Sequence, residues 1–131
     1  MLKEESKGSK LIIFVDENLY PLQEHLSTLG YAVKTLPQST SDDDIIAYLL
    51  QIKKKVLDKP IVLVTANTKD FPAKYFNRNL YRIGCESRPS LKKLALLLDK
   101  YFRSELYTDY RIMDIERGRD QVWNLGSSRI G

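Results

Sequence analysis

The sequence predicts an α/β domain of three layers, with helices on both faces of a central, mainly parallel sheet and a C-terminal β-hairpin. Three observations carry that expectation. Leu11-Ile12-Ile13-Phe14-Val15 and Ile61-Val62-Leu63-Val64-Thr65 are apolar almost without interruption, the pattern of strands covered on both faces. Segments with apolar residues at helical spacing alternate with strands, which argues for helical crossovers between neighbours. Each apolar run also gives way at its carboxyl end to acids or amides, Asp16-Glu17-Asn18 after the first and Asn67 to Asp70 after the second. Open α/β sheets bind their ligands at that edge.

In chain order, Leu11 to Val15 is the first strand. Asn18 can cap a helix that carries Leu19, Leu22, Leu26 and Leu29 on one face and stops at Gly30. Tyr31 to Leu36 reads as a short second strand with Val33 inward, followed by a loop from Pro37 to Thr40. Ser41 is a natural N-cap for the next helix, whose residues Ile45, Leu49, Ile52 and Val56 share one face until Asp58-Lys59-Pro60 ends it. Ile61 to Thr65 is the second fully apolar strand, with a loop through Pro72 at its end. A short helix and a strand around Tyr81 to Glu86 come next. Pro89-Ser90 opens a long amphipathic helix through Leu91, Leu94, Leu98, Tyr101 and Phe102. Tyr110 to Leu125 reads as a hairpin that turns at Arg117-Gly118.

At 131 residues the chain suits one domain with a single core, expected over 11–126. Residues 1–10 read as a polar tail and 127–131 as a frayed end. No apolar run approaches the roughly 20 residues that span a bilayer, and residues 1–10 lack a signal-peptide core, so no membrane and a cytoplasmic location are expected. The single cysteine, Cys85, excludes an internal disulfide and a cysteine-cluster metal site, and reads as a small apolar strand residue. His25, the only histidine, falls mid-helix and reads as structural. The net charge of +4 is compatible with a polyanionic partner. Lys53-Lys54-Lys55 reads as a solvated helix end that complements the helix dipole. The basic residues of Lys74 to Arg88 and Arg111 to Arg119 are interleaved with Tyr75, Phe76, Tyr81, Tyr110 and Trp123, a pattern closer to a nucleic-acid footprint.

The acids carry the chemistry. At a strand's carboxyl end Asp16 is a metal ligand, an organiser of a phosphate site or a helix cap. Asp42, Asp43 and Asp44 open a helix, where each acid contributes roughly 0.3 to 1 kcal/mol through the dipole alone. Together with Asp16 and Asp70 they acquire a second meaning. Carboxylates brought to one sheet edge repel one another unless a cation neutralises them. Hard ions such as Mg²⁺ and Mn²⁺ suit an oxygen-rich site, where they can activate water for an in-line phosphoryl displacement.

Two families share the opening pattern. Phe14-Val15-Asp16-Glu17-Asn18, Leu29-Gly30-Tyr31-Ala32-Val33 and Pro60 to Ala66 resemble the response-regulator receiver domain. That domain needs a further strand ending in a phospho-accepting Asp, for which Leu36 to Pro60 leaves no room. Asp16-Glu17-Asn18-Leu19, Leu29 to Val33, Ser41-Asp42-Asp43-Asp44-Ile45 and Val62 to Phe71, in that order, resemble the PIN-like nuclease group. The small toxin-type proteins of that group and the Mut7-C domain are the nearest in pattern, over roughly residues 11 to 85. The resemblance implies a PIN-like fold and an Mg²⁺- or Mn²⁺-dependent ribonuclease, with RNA as substrate and an antitoxin-type protein as a further partner; separately, the apolar residues of the long C-terminal helix suit a homodimer as readily as the core. It assigns the metal to Asp16, to Asp42 or its helical neighbour Asp44, and to Asp70. Asn18, Thr65, Asn67 and Lys69 are then expected around the substrate. Asn67 stands where the family has an acid, with one extra residue before Asp70. The alternative reading is therefore a catalytically degenerate PIN-like module that binds RNA or protein.

Overall fold

A computed structural model of the chain describes residues 11–36, 41–56, 58–76, 79–85, 91–104, 108, 110–117 and 123–129. Four strands, β1 (Ile12–Val15), β2 (Ala32–Thr35), β3 (Ile61–Thr65) and β4 (Leu80–Cys85), form an all-parallel central sheet in the order β2-β1-β3-β4. Three helices flank it: α1 (Tyr20–Thr28), α2 (Asp42–Lys55) and α3 (Leu91–Ser104). Beyond β4 the backbone of β5 (Tyr110–Arg117) runs parallel, and β6 (Trp123–Arg129) pairs antiparallel with β5. Arg117 ends β5, and Gly118 of the expected turn lies outside the described residues, as do residues 1–10 and the Pro37 to Thr40 segment. Residues 127–129, assigned from sequence to the chain end, belong to β6.

The α/β expectation holds because both faces of the strands are covered. Strand side chains alternate, so Ile13, Val15, Val62, Val64, Tyr81 and Ile83 pack on one face against Leu22 and Leu26 of α1 and Leu94, Leu98 and Phe102 of α3. Phe14, Ile61, Leu63 and Leu80 pack on the other against Ile45, Ile46 and Leu49 of α2. Cys85 is buried in the first cluster, as its strand position predicts. Every residue of β3 is buried, whereas β2 lies at the sheet edge with only Val33 partly covered. Among the described residues no helix is long and apolar enough to cross a membrane.

The helix ends follow local chemistry, with one correction. Ser41 caps α2 by accepting the Asp44 backbone N–H at 3.2 Å. Gly30 follows α1 with φ +97°, a conformation that costs a side chain energy and a glycine little. Asn18 is not the cap of α1. The chain leaves β1 through a 3₁₀ turn over Glu17–Leu19, which moves the helix start to Tyr20 and puts Leu19 at its N-cap without a side-chain bond. Pro21 in the first turn suits such a start, since its missing N–H needs no cap. A second difference lies between β3 and β4. In place of the expected short helix there are two 3₁₀ turns, Thr68–Asp70 and Ala73–Tyr75, separated at Pro72, which disfavours helical geometry at Phe71.

Strand order fixes where a ligand can sit. The chain passes from β1 to β2 along the face of α1, then returns over β1 to β3 along the opposite face with α2. Helices leaving on opposite faces open a crevice between the carboxyl ends of β1 and β3.

Candidate functional site

Register brings the first residues together at that crevice. Val15 is paired with Val64 across β1 and β3, and the Asp16 N–H continues the ladder to the Val64 carbonyl at 3.0 Å. The next residues on the two strands, Asp16 and Thr65, both face α2 by alternation from Phe14 and Leu63. Their side chains meet: the Thr65 hydroxyl donates to Asp16 Oδ2 at 2.7 Å, and the Glu17 N–H donates to Asp16 Oδ1 at 2.8 Å. Thr65 Oγ1 also accepts the Asn67 N–H at 2.9 Å, which turns the chain at the end of β3. Asp16 is 8% exposed and Thr65 fully buried, so Asp16 is held in one orientation from below. Thr65 therefore positions Asp16 and does not itself face a substrate.

The second group of acids arrives from α2 and from the loop after β3. Ser41 starts α2 so that Asp42 occupies its first position, half-buried over the crevice. The Asp42 carboxyl hydrogen-bonds that of Asp70, and burial, this bond and the charges of Asp70, Asp16 and Asp43 all push the Asp42 carboxyl above the usual aspartate range. A hydrogen bond between two carboxyl groups needs a proton on one of them, which is why Asp70 favours the protonated form of Asp42. The Asn67 side-chain amide donates to Asp70 Oδ2 from the other side.

Of the residues assigned from sequence, Asp42 and Asp70 come into contact, Asp16 lies within electrostatic reach of Asp42, and Thr65 and Asn67 bridge the ends of the loop. Asp44 is exposed and offers its backbone N–H to Ser41, so Asp42 is the acid of α2 that joins the crevice. Lys69 is exposed beside Asp70, and the Asn18 side chain lies outside the described residues. Among the described residues no three His, Cys, Asp or Glu side chains are gathered as a ready-made ligand set for one metal ion. The acids form a contacting pair with a third carboxylate behind it.

Two polar positions went unread in the sequence. Arg82, in the middle of β4, is 2% exposed and donates from Nη1 to the Phe71 carbonyl at 3.0 Å. Asp99 of α3 is 4% exposed, accepts from the Tyr31 hydroxyl and pairs with Arg103 at 3.1 Å. Both carried a signal: a charge inside an apolar strand, and an acid four residues after Ala95 on the apolar side of its helix. No family model, curated protein or solved structure matches the chain.

Proposed function

We propose that the crevice between β1 and β3 is the centre of a PIN-like, Mg²⁺- or Mn²⁺-dependent ribonuclease. The observation that carries the reading is the contact of Asp42 with Asp70 beside Asp16, acids of distant sequence positions that together disfavour the Asp42 charge at the carboxyl edge of the sheet. The donor set fits a hydrated hard ion, which commonly takes only one or two carboxylates and completes its shell with water and substrate phosphate. It does not fit a closed all-protein cage. Asp42 and Asp70 would hold the ion, and Asp16 would add charge. When bound, such an ion lowers the pKa of a water and offsets charge on the scissile phosphate.

The chain's own residues supply the rest. Thr65 and the Glu17 N–H keep Asp16 aimed in one direction, so no reorientation is needed when substrate arrives. Asp42 must be ionised to ligate, so affinity for the ion rises with pH through the raised Asp42 value. Lys69, exposed next to Asp70, would meet an RNA phosphate, and its contribution should weaken with salt.

The Asn67 amide, spent on Asp70, favours a second reading. It occupies an acid's lone pair without adding charge, as a non-catalytic module for RNA or protein would tolerate. One experiment separates the two: titrate Mn²⁺ against a mixed single-stranded RNA with wild type and Asp16→Asn. Metal-dependent cleavage by wild type that Asp16→Asn loses supports the ribonuclease. Absent cleavage, or equal cleavage by both proteins, removes it. RNA binding that persists without metal and falls steeply with salt then favours the module.

A further inference from the structure

We infer that Arg82 is the positioning residue of this crevice: its buried guanidinium clamps the Phe71 carbonyl and so holds Asp70 against Asp42. The inference rests on the metal-site reading given above for what the positioned acid does, and on geometry alone for the clamp.

β4 alternates between the two faces of the sheet, with Leu80 toward α2 and Tyr81 and Ile83 toward α1 and α3. Arg82 therefore points to the α2 face, in register with Leu63 of β3 and Ile112 of β5, both of which pack in that apolar cluster. A guanidinium at 2% exposure among such neighbours is expensive for stability, and an apolar residue of similar volume would fill the space at lower cost. A backbone carbonyl is one of the groups that can offset that cost.

The connection from β3 to β4 supplies one. Among its described residues this crossover has two 3₁₀ turns and no α-helix, so their carbonyls lack the continuous ladder that a helix provides. Phe71 and Phe76 bury their rings against the α2 face, which draws the intervening backbone inward. The Phe71 carbonyl is thus buried and takes its hydrogen from Arg82 Nη1 at 3.0 Å. Phe71 directly follows Asp70, so the clamp is one residue from the acid. Asp70 is otherwise exposed, and its carboxyl meets Asp42 and Asn67. Arg82 fixes the backbone beneath it.

The test uses the full chain as wild type, Arg82→Met, Arg82→Gln and Leu80→Ala. Leu80 belongs to the same cluster on the same strand, so its truncation loosens packing and leaves the clamp in place. Amide hydrogen exchange, measured without metal, should rise roughly tenfold at 67–71 in Arg82→Met, as expected for loss of one buried bond to a charged donor, with β1 and β3 amides little changed. Mn²⁺ affinity should fall by a similar factor, about tenfold, and Leu80→Ala should retain it. If Arg82→Met does not fold, Arg82→Gln, polar but too short to reach the carbonyl, carries the same expectation. Wild-type protection at 67–71 in a folded Arg82 variant overturns the inference, as does an unprotected 67–71 turn in the wild type. An equal loss of Mn²⁺ affinity in Leu80→Ala assigns Arg82 a merely structural role and overturns it too. Should wild type bind no Mn²⁺, the metal reading fails separately and the exchange data alone decide the clamp.

Discussion

Two acids on opposite faces of the sheet, Asp99 buried and Asp42 half-buried, are treated in opposite ways. On the face of α1 and α3, Asp99 receives the Tyr31 hydroxyl and the Arg103 guanidinium, so the charge is matched by a donor and a cation. The Tyr31 ring is packed edge-on against Phe102, which ties the start of β2 to α3. On the face of α2, Asp42 is given Asp70 as its partner, and Asp16 and Asp43 add further negative charge. The first arrangement is complete without a ligand. The second is stabilised by anything that brings positive charge. Both carboxyls are at least partly withdrawn from water; the sign of what surrounds each separates a structural lock from a candidate site.

The largest effect that could break this comparison is on catalysis. Asp16→Asn should reduce metal-dependent RNA cleavage on the order of 100-fold or more, because a metal site contributes several kcal/mol through its charge. A variant that keeps full activity removes Asp16 from the site. On the opposite face the expected loss is in stability. Tyr31→Phe takes a donor from a buried carboxylate and should cost about 1–3 kcal/mol in chemical denaturation. A cost near zero would mean that Arg103 alone satisfies Asp99.

Asn67→Asp sharpens the comparison from the other direction. It replaces the amide bonded to Asp70 with another acid, so Mn²⁺ should bind roughly tenfold tighter while the metal-free fold becomes less stable. Tighter binding without a stability loss would show that Asn67 lies apart from the repulsive cluster.

The smallest effect is the pH dependence of stability without metal. Asp42 has its folded pKa raised, first by burial and then by Asp70, so the folded chain holds the proton more firmly than the unfolded chain. Its contribution is therefore fully present below the ordinary aspartate value and is lost as pH rises through the raised one. Asp42→Asn removes that titration and should flatten this part of the curve, leaving the variant more stable at neutral pH by about 1 kcal/mol or less. Parallel curves for the two proteins would contradict the carboxyl contact.

The elements were legible where the physics is local. Five apolar residues before Asp16 can only be stable as a strand covered on both faces, and Ser41 three residues before Asp44 is a cap by spacing alone. The stop at Gly30 is equally local, since its left-handed φ is one that glycine adopts at little cost. Local rules misled where two of them competed. Asn18 is a good cap in isolation, but the 3₁₀ turn that Asp16 starts takes up that stretch of chain first.

What the sequence by itself determined is the α/β class, the two apolar strands and the presence of acids at their carboxyl ends. Which acids meet was decided only by the tertiary structure. Asp42 and Asp70 are 28 residues apart, and their contact depends on α2 crossing back over β1 and on Val15 pairing with Val64. A shift of one residue in that register would turn Asp16 to the face of α1 and α3 and away from both. Arg82 and Asp99 follow the same logic. A charge in an apolar run is visible in sequence, but its buried partner, Phe71 or Tyr31, comes from another element, and only folding brings the two within reach.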